Sequence, residues 1–266
     1  LNLFTSALAV LLSSLIVHYR GPVEITILVT FVVISFNAAA NAFNDYIDYE
    51  VDKINRPLRP LSLGLVSRES ALFLTLILFG IGSIAVLELN KTAQLIAFGF
   101  ALPLMIIYSW LLKGVPLVGN VVVSSILGMT FLFSGTAFEN LKAMIIPAAL
   151  AFGLTMVREL VKDIADMDGD QSSGLKTYPV YFGLNNAVKL TLVLAAVIGI
   201  GAFIPFLTGY YGIGYGVLLI LVVEIPLGVV VVSLMNNPGI TVAIRSARLL
   251  KFSTLGGLIA IYLGTL

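Results

Sequence analysis

Residues 23–52 read VEITILVTFVVISFNAAANAFNDYIDYEVD, an apolar run that ends in a cluster of amides and carboxylates. The apolar part, 23–44, suits a helix that crosses a hydrocarbon core of about 30 Å, which takes about 20 residues. A backbone in lipid must satisfy its own N–H and C=O groups, so such a run is a helix. Its end then delivers Asn41, Asn44, Asp45, Asp48 and Asp52 to the membrane surface. Spacings of 3, 4 and 7 put these five residues along one helical face.

The rest of the chain repeats the apolar half of that pattern. Gly, Pro, Asn and charge divide the 266 residues into about nine apolar segments, near 1–18, 23–44, 70–88, 92–112, 115–137, 142–162, 184–208, 212–235 and 246–265. Hydrophobic residues make up 59% of the chain and charged residues only 11%, against roughly 25% in a soluble domain. The expected fold is all-α, a polytopic transmembrane bundle of about nine helices forming a single domain over 1–266. The opening, Leu1 to Val17, has no charged n-region or small-residue cleavage site, and predicts a first span rather than a signal peptide. With no cysteine there are no disulfides, thiolate metal sites or cysteine nucleophile. A net charge of +1 gives no footing for nucleic acid.

Orientation follows from the basic residues. With nine spans, the connections after spans 2, 4, 6 and 8 share a side with the N-terminus. That side holds Lys53, Arg56, Arg59, Arg68, Lys113, Arg158, Lys162, Lys176, Lys189, Arg245, Arg248 and Lys251, against Arg20, Lys91 and Lys142 opposite. This bias predicts a cytoplasmic N-terminus, cytoplasmic acidic loops and an outside C-terminus in the cell membrane.

All seven aspartates fall in two short stretches. The first holds Asp45, Asp48 and Asp52. The second, 158–170, reads RELVKDIADMDGD and holds Asp163, Asp166, Asp168 and Asp170 at the cytoplasmic end of span 6. Asp166 and Asp170 are four apart, with Asp163 on nearly the same face. Like charges at that spacing repel, so two such helices need a cation. Oxygen ligands without His or Cys suit a hard ion, Mg²⁺ before Ca²⁺ or Mn²⁺. Mg²⁺ takes one or two carboxylates and completes its shell with substrate phosphate. Two acidic half-sites facing each other across a diphosphate fit that habit better than a pair of solvated loops.

Cations aimed at a leaving diphosphate are a large catalytic contribution. Arg56 and Arg59 follow the first stretch, Lys162 adjoins the second, Lys176 lies just beyond it, and Lys113 ends span 4. Asn41 extends the first row. Arg245, Arg248 and Lys251 have no acidic motif beside them and read as ordinary topology signals.

Asn44-Asp45-x-x-Asp48-x-x-x-Asp52, Arg59-Pro60-Leu61-x-x-Gly64-x-x-Ser67 and Asp166-x-x-x-Asp170 before Gly174-x-Lys176-Thr177 resemble the UbiA superfamily of intramembrane prenyltransferases. The likeness covers nearly the whole chain. It implies a helical bundle around a central cavity, with Mg²⁺ and a polyprenyl diphosphate at the cytoplasmic mouth. By that resemblance Asn44 and Asp48, with Asp52 in the same row, hold one metal, and Asp166 and Asp170 the other. Stretches 44–60 and 158–170 look most like the archaeal digeranylgeranylglyceryl phosphate synthases. That branch joins a geranylgeranyl group to the free hydroxyl of geranylgeranylglyceryl phosphate, an ether-lipid step. Members also carry a basic segment ahead of a first-span Asn; here the sequence opens at Leu1-Asn2.

In the expected mechanism the allylic C1–O bond ionises or nearly so, in a cavity that shields the cation from water. Tyr108 is the first candidate to face that cation and Tyr46 the second, with Tyr49, Tyr178 and Tyr181 also close to the motifs. Asp45 and Asp163 are the candidate proton acceptors. Asn120 could bond a polar head group or a neighbouring helix. Glu224, just before Pro226, reads as a protonated acid bonded to backbone outside the site, and His18 as interfacial. Three rivals remain: an aromatic acceptor, as in quinone synthesis; a cation transporter; and a CDP-alcohol phosphotransferase, which would gather its acids into one compact motif. The partners expected are a polyprenyl diphosphate, a lipid-like acceptor and the bilayer, with the oligomeric state open.

Overall fold

The computed structural model describes residues 2–266, apart from the side chains of Asn2, Ile54 and Asn55; Leu1, the expected start of the first span, lies outside the described residues. The helices are α1 (Asn2–Ile16), α2 (Val23–Ile47), α3 (Tyr49–Asn55), α4 (Arg68–Leu87), α5 (Lys91–Leu112), α6 (Val118–Ala137), α7 (Leu141–Ser172), α8 (Tyr178–Phe182), α9 (Leu184–Leu207), α10 (Ile213–Asn236) and α11 (Ile240–Gly264). Eight of them are long and apolar enough to cross a membrane, and α1 is shorter at 15 residues. Every apolar segment of the sequence therefore has its helix, and no strand occurs among the described residues. Apolar side chains also cover the outside. Along α4, Phe73, Leu76, Ile77 and Ile84 stand exposed, as lipid contact demands.

The connections alternate between two ends of the bundle. At one end Asn90 Nδ2 donates to the Thr136 carbonyl at 2.6 Å, and the Tyr19 ring packs on Phe138 with centroids 4.8 Å apart. This joins the α1–α2, α4–α5 and α6–α7 connections. At the other end Gly114 sits so close to the α7–α8 turn that a Cβ would lie 3.0 Å from Leu175 Cδ2. In the middle, α6 and α7 approach through glycine. A Cβ on Gly128 would meet the Ala148 carbonyl at 3.0 Å, and one on Gly135 would meet Met144 Cγ at 2.7 Å. Small residues are the usual means of close helix approach in lipid, where burial alone gives little drive.

Three boundaries differ from the sequence expectation. The helix expected to end near 162 continues to Ser172, so the second acidic stretch is helical throughout. It stops at a Schellman turn: Gly174 takes φ +73°, Leu175 N–H bonds the Asp170 carbonyl at 2.9 Å, and Gly174 N–H bonds Gln171 at 3.2 Å. The first stretch, expected on one continuous helix, instead breaks at Asp48 between α2 and α3. The i→i−4 bonds of Asp48 to Asn44 and Asp52 to Asp48 persist at 2.8 and 2.7 Å, so the row of side chains bends without losing register. The last helix starts at Ile240, six residues before the expected start at 246.

Neither α5 nor α10 is regular. Each widens to π-helix two residues ahead of a proline, at Ala97–Ala101 before Pro103 and at Leu219–Glu224 before Pro226. A proline ring clashes with the carbonyl four residues back, and a wider turn relieves it. A further π segment, Tyr108–Leu112, closes with Lys113 N–H on the Tyr108 carbonyl at 3.0 Å. That segment sets the two candidate site residues of α5.

Candidate active site

A cavity of ≈ 630 Å³ opens among α1, α2, α5, α6, α7 and α11, the size of a typical small-molecule site. Seven acidic and six basic side chains line it, in a chain with only 14 acids and 15 bases. Charge in this protein is therefore concentrated around one space. A smaller apolar pocket with Phe36, Met129 and Phe133 in its wall adjoins the cavity through Asn37, Met105, Ile126 and Thr130.

Both acidic stretches reach this cavity. From the first come Asn41, Asn44, Asp45, Asp48 and Asp52. Arg59 Nη1 donates to Asp45 Oδ1 at 2.6 Å and also bonds Asp52, while Lys113 pairs with Asp48 from across the bundle. Asn44 Oδ1 is buried with no hydrogen-bond partner. From the second come Asp163, Asp166 and Asp170. Asn120 Nδ2 on α6 donates to Asp163 Oδ2 at 2.7 Å, and Thr177 Oγ1 donates to Asp170 Oδ2 at 3.0 Å. Arg56, just past the first stretch, reaches Asp166 Oδ2 of the second at 3.3 Å. That bond ties the two helix tips together over a separation of 110 residues.

Other expectations fall outside the cavity. Lys176 is exposed and does not line it, because the Schellman turn brings Thr177 inward instead. Tyr46 is taken up by Arg68, whose guanidinium lies 4.6 Å from the ring centroid. Lys53 pairs with Glu50 at 3.1 Å, away from the cavity. Asp168 is exposed. Tyr108 does line the cavity, from the π segment of α5. Lys162 lines it too, but its nearest carboxylate is Glu159 at 3.1 Å rather than an aspartate of the motif. Asn120 turns out to hold Asp163. Glu224 is not bonded as expected: its Oε1 is buried without a partner, since the π turn absorbs the backbone strain before Pro226.

Three cavity residues were passed over in the sequence. Glu159 is buried on α7 between Arg158 and Lys162. Arg158 bonds Glu159 Oε1 at 2.7 Å through Nη1, and its Nε is buried and unpartnered. Lys251, which reads as a topology signal, lines the cavity from α11. The signal for it was present: a lysine inside an apolar segment is costly unless it faces something polar.

Among the described residues no three Asp, Glu, His or Cys side chains converge into a ready metal cage. The donor set still suits a hard cation that is shared with a substrate. Its carboxylates are split between two tips and its amide oxygen, Asn44 Oδ1, is buried with nothing to bond.

The family model for UbiA prenyltransferases matches residues 4–245. The chain belongs to the UbiA prenyltransferase family. This UbiA protein is thus a multi-pass membrane enzyme that transfers prenyl groups. It is 35% identical to the digeranylgeranylglyceryl phosphate synthase of Methanopyrus kandleri, over 98% of this chain and 94% of that one. It is 36% identical to the synthase of the same name from Thermococcus kodakarensis, over 90% and 85% of the two chains. Among solved structures it superposes on one described as a digeranylgeranylglyceryl phosphate synthase in membranes, with TM-score 0.78, 27% identity and coverage of 99% and 92%. A UbiA homologue from Archaeoglobus fulgidus bound to GPP and Mg²⁺ shares the fold, with TM-score 0.67 at 18% identity over 97% of each chain.

Proposed function

We propose that this protein transfers a geranylgeranyl group from geranylgeranyl diphosphate to the free hydroxyl of geranylgeranylglyceryl phosphate, with Mg²⁺, at the cytoplasmic end of the bundle. The observation that carries the reading is the Arg56–Asp166 tie across a cavity that both acidic tips line. The relatives that share about a third of the residues over nearly the full length are named for this product. The excess of basic residues on the connections at the acidic end supports a cytoplasmic mouth.

Asn44, Asp48 and Asp52 would hold metal on one side, and Asp166 and Asp170 on the other. Bound Mg²⁺ supplies charge neutralisation for the departing diphosphate. Arg56, Arg59 and Lys113 bind the same leaving group, each from within a hydrogen bond of a motif carboxylate. Tyr108 presents its ring to the allylic carbon as the C1–O bond breaks. The acceptor hydroxyl then forms the new C–O ether bond at C1, and its proton passes to Asp163. Asn120 occupies one oxygen of that carboxylate and leaves the other free. Asp45 is less well placed for this step, since Arg59 holds it at 2.6 Å.

The deciding assay incubates purified protein with labelled geranylgeranyl diphosphate and, separately, geranylgeranylglyceryl phosphate or a hydroxybenzoate. Ether lipid should form in the first case only, stop with EDTA, and resume with excess Mg²⁺. Product from the hydroxybenzoate alone would reassign the acceptor. Ion flux in vesicles without either product would point to a transporter.

A further inference from the structure

The reaction proposed above brings two phosphate groups into one cavity, a diphosphate on the donor and a monoester on the acceptor. The motif end has its own cations, Arg56, Arg59 and Lys113, and each is already bonded to a motif carboxylate. The α7–α11 wall is different. Glu159 is shared between Arg158 and Lys162, so one carboxylate serves two cations. Lys251 adds a third cation from α11 and forms no ion pair among the described residues.

Where Lys251 sits sharpens the point. It is eleven residues into α11, about one turn beyond the exposed Arg248, where the helix turns apolar. An ammonium entering an apolar helix is unfavourable unless it faces a cavity and meets something polar. Thr254 and Leu258, three and seven residues on, line the same cavity, so this helix face points inward and not at lipid. Arg158 lines the same cavity, and although its Nη1 bonds Glu159, its buried Nε has a proton with no acceptor. A lysine without an ion pair and an unused guanidinium N–H on one cavity together describe an anion site whose anion is not part of the protein.

We infer that Arg158 and Lys251 bind the phosphate monoester of the acceptor lipid, opposite the donor diphosphate, and so select a phosphorylated acceptor. The inference rests on the proposed reaction. Arg158 lies five residues before Asp163 on one helix, about 7.5 Å along its axis. In a glyceryl phosphate acceptor the phosphate and the attacking hydroxyl are carried on adjacent carbons. Phosphate at Arg158 therefore brings the hydroxyl toward Asp163. An acceptor without phosphate would leave Lys251 without an anion and the Arg158 Nε–H without an acceptor, and a site built that way rejects analogues that lack the group.

The test is steady-state kinetics on the purified full chain with geranylgeranylglyceryl phosphate and with its dephosphorylated counterpart. Wild type should prefer the phosphorylated acceptor in kcat/KM by about a hundredfold or more. Lys251→Met should raise KM for that acceptor about tenfold, move donor KM less than about twofold, and shrink the preference. Lys251→Arg should restore it, and Lys251→Gln serves if the methionine variant does not fold. An unchanged preference in folded Lys251→Met overturns the inference alone, as does a rise in donor KM, which would give the lysine to the diphosphate. Wild type that makes no ether from either acceptor overturns the proposed reaction, and the inference with it.

Discussion

The two acidic stretches are held in opposite ways. In the first, Asp45 and Asp52 share Arg59 and Asp48 has Lys113, so its carboxylates arrive with their own cations. In the second, Asp163 is held by an amide and Asp170 by a hydroxyl, both neutral. Only Asp166 meets a cation there, and that cation, Arg56, comes from beyond the first stretch. The first tip is a charge-balanced turn, bent at Asp48. The second is an unbroken helix that stacks like charges on one face, which disfavours it unless positive charge is brought in. The carboxylates of the first tip are thus tied to cations, whereas Asp163 and Asp170 of the second are held by neutral donors alone.

The sharpest way to break this comparison is Asp166→Ala, which removes the carboxylate that joins the tips. Turnover should fall by about a hundredfold or more, while elution in detergent stays normal. Near-wild-type rates would remove the second stretch from the chemistry. Arg59→Ala attacks the other tip and should cost stability as well as donor binding. It strands Asp45 and the buried Asp52, so the thermal midpoint should drop, by about 2 kcal/mol of stability. An unchanged midpoint would mean that the first tip is not charge-balanced by Arg59. The smallest effect is expected from Asn120→Ala, which frees Asp163 from a neutral donor. One hydrogen bond of about 1.4 kcal/mol corresponds to about a tenfold fall in kcat, with donor KM unchanged. A loss in donor binding instead would give Asn120 to the diphosphate.

Much of the candidate site was readable along the chain, because acids in so apolar a sequence stand out. Asp48, Asp52, Asp166 and Asp170 stand out by their i,i+4 stacking, Arg56 by its place beside the first motif and Lys113 by its place at the end of span 4, and all six line the cavity. The misreadings came from local geometry. Lys176 is next to the second motif in sequence, yet the αL turn at Gly174 sends it outward and Thr177 in. Lys251 has no acidic motif beside it in the sequence and so reads as a topology signal, yet α11, which begins at Ile240, turns it into the cavity. Arg245 and Arg248, which suggested a flank, are exposed side chains on the first turns of α11.

What the sequence determined by itself is the set of membrane helices, their alternation and the end at which the charges gather. These depend on run length and composition, which are properties of neighbours along the chain. What only the tertiary structure decided is which charges meet. Arg56 on Asp166, Asn120 on Asp163, and Lys251 facing the same cavity as Arg158 all depend on how each helix is rotated about its axis. That rotation is set by packing such as Gly128 on Ala148, by the π turns before Pro103 and Pro226 and by the bend at Asp48. In lipid an apolar helix gains almost nothing from turning one side rather than another inward, so hydrophobic pattern does not announce its buried face.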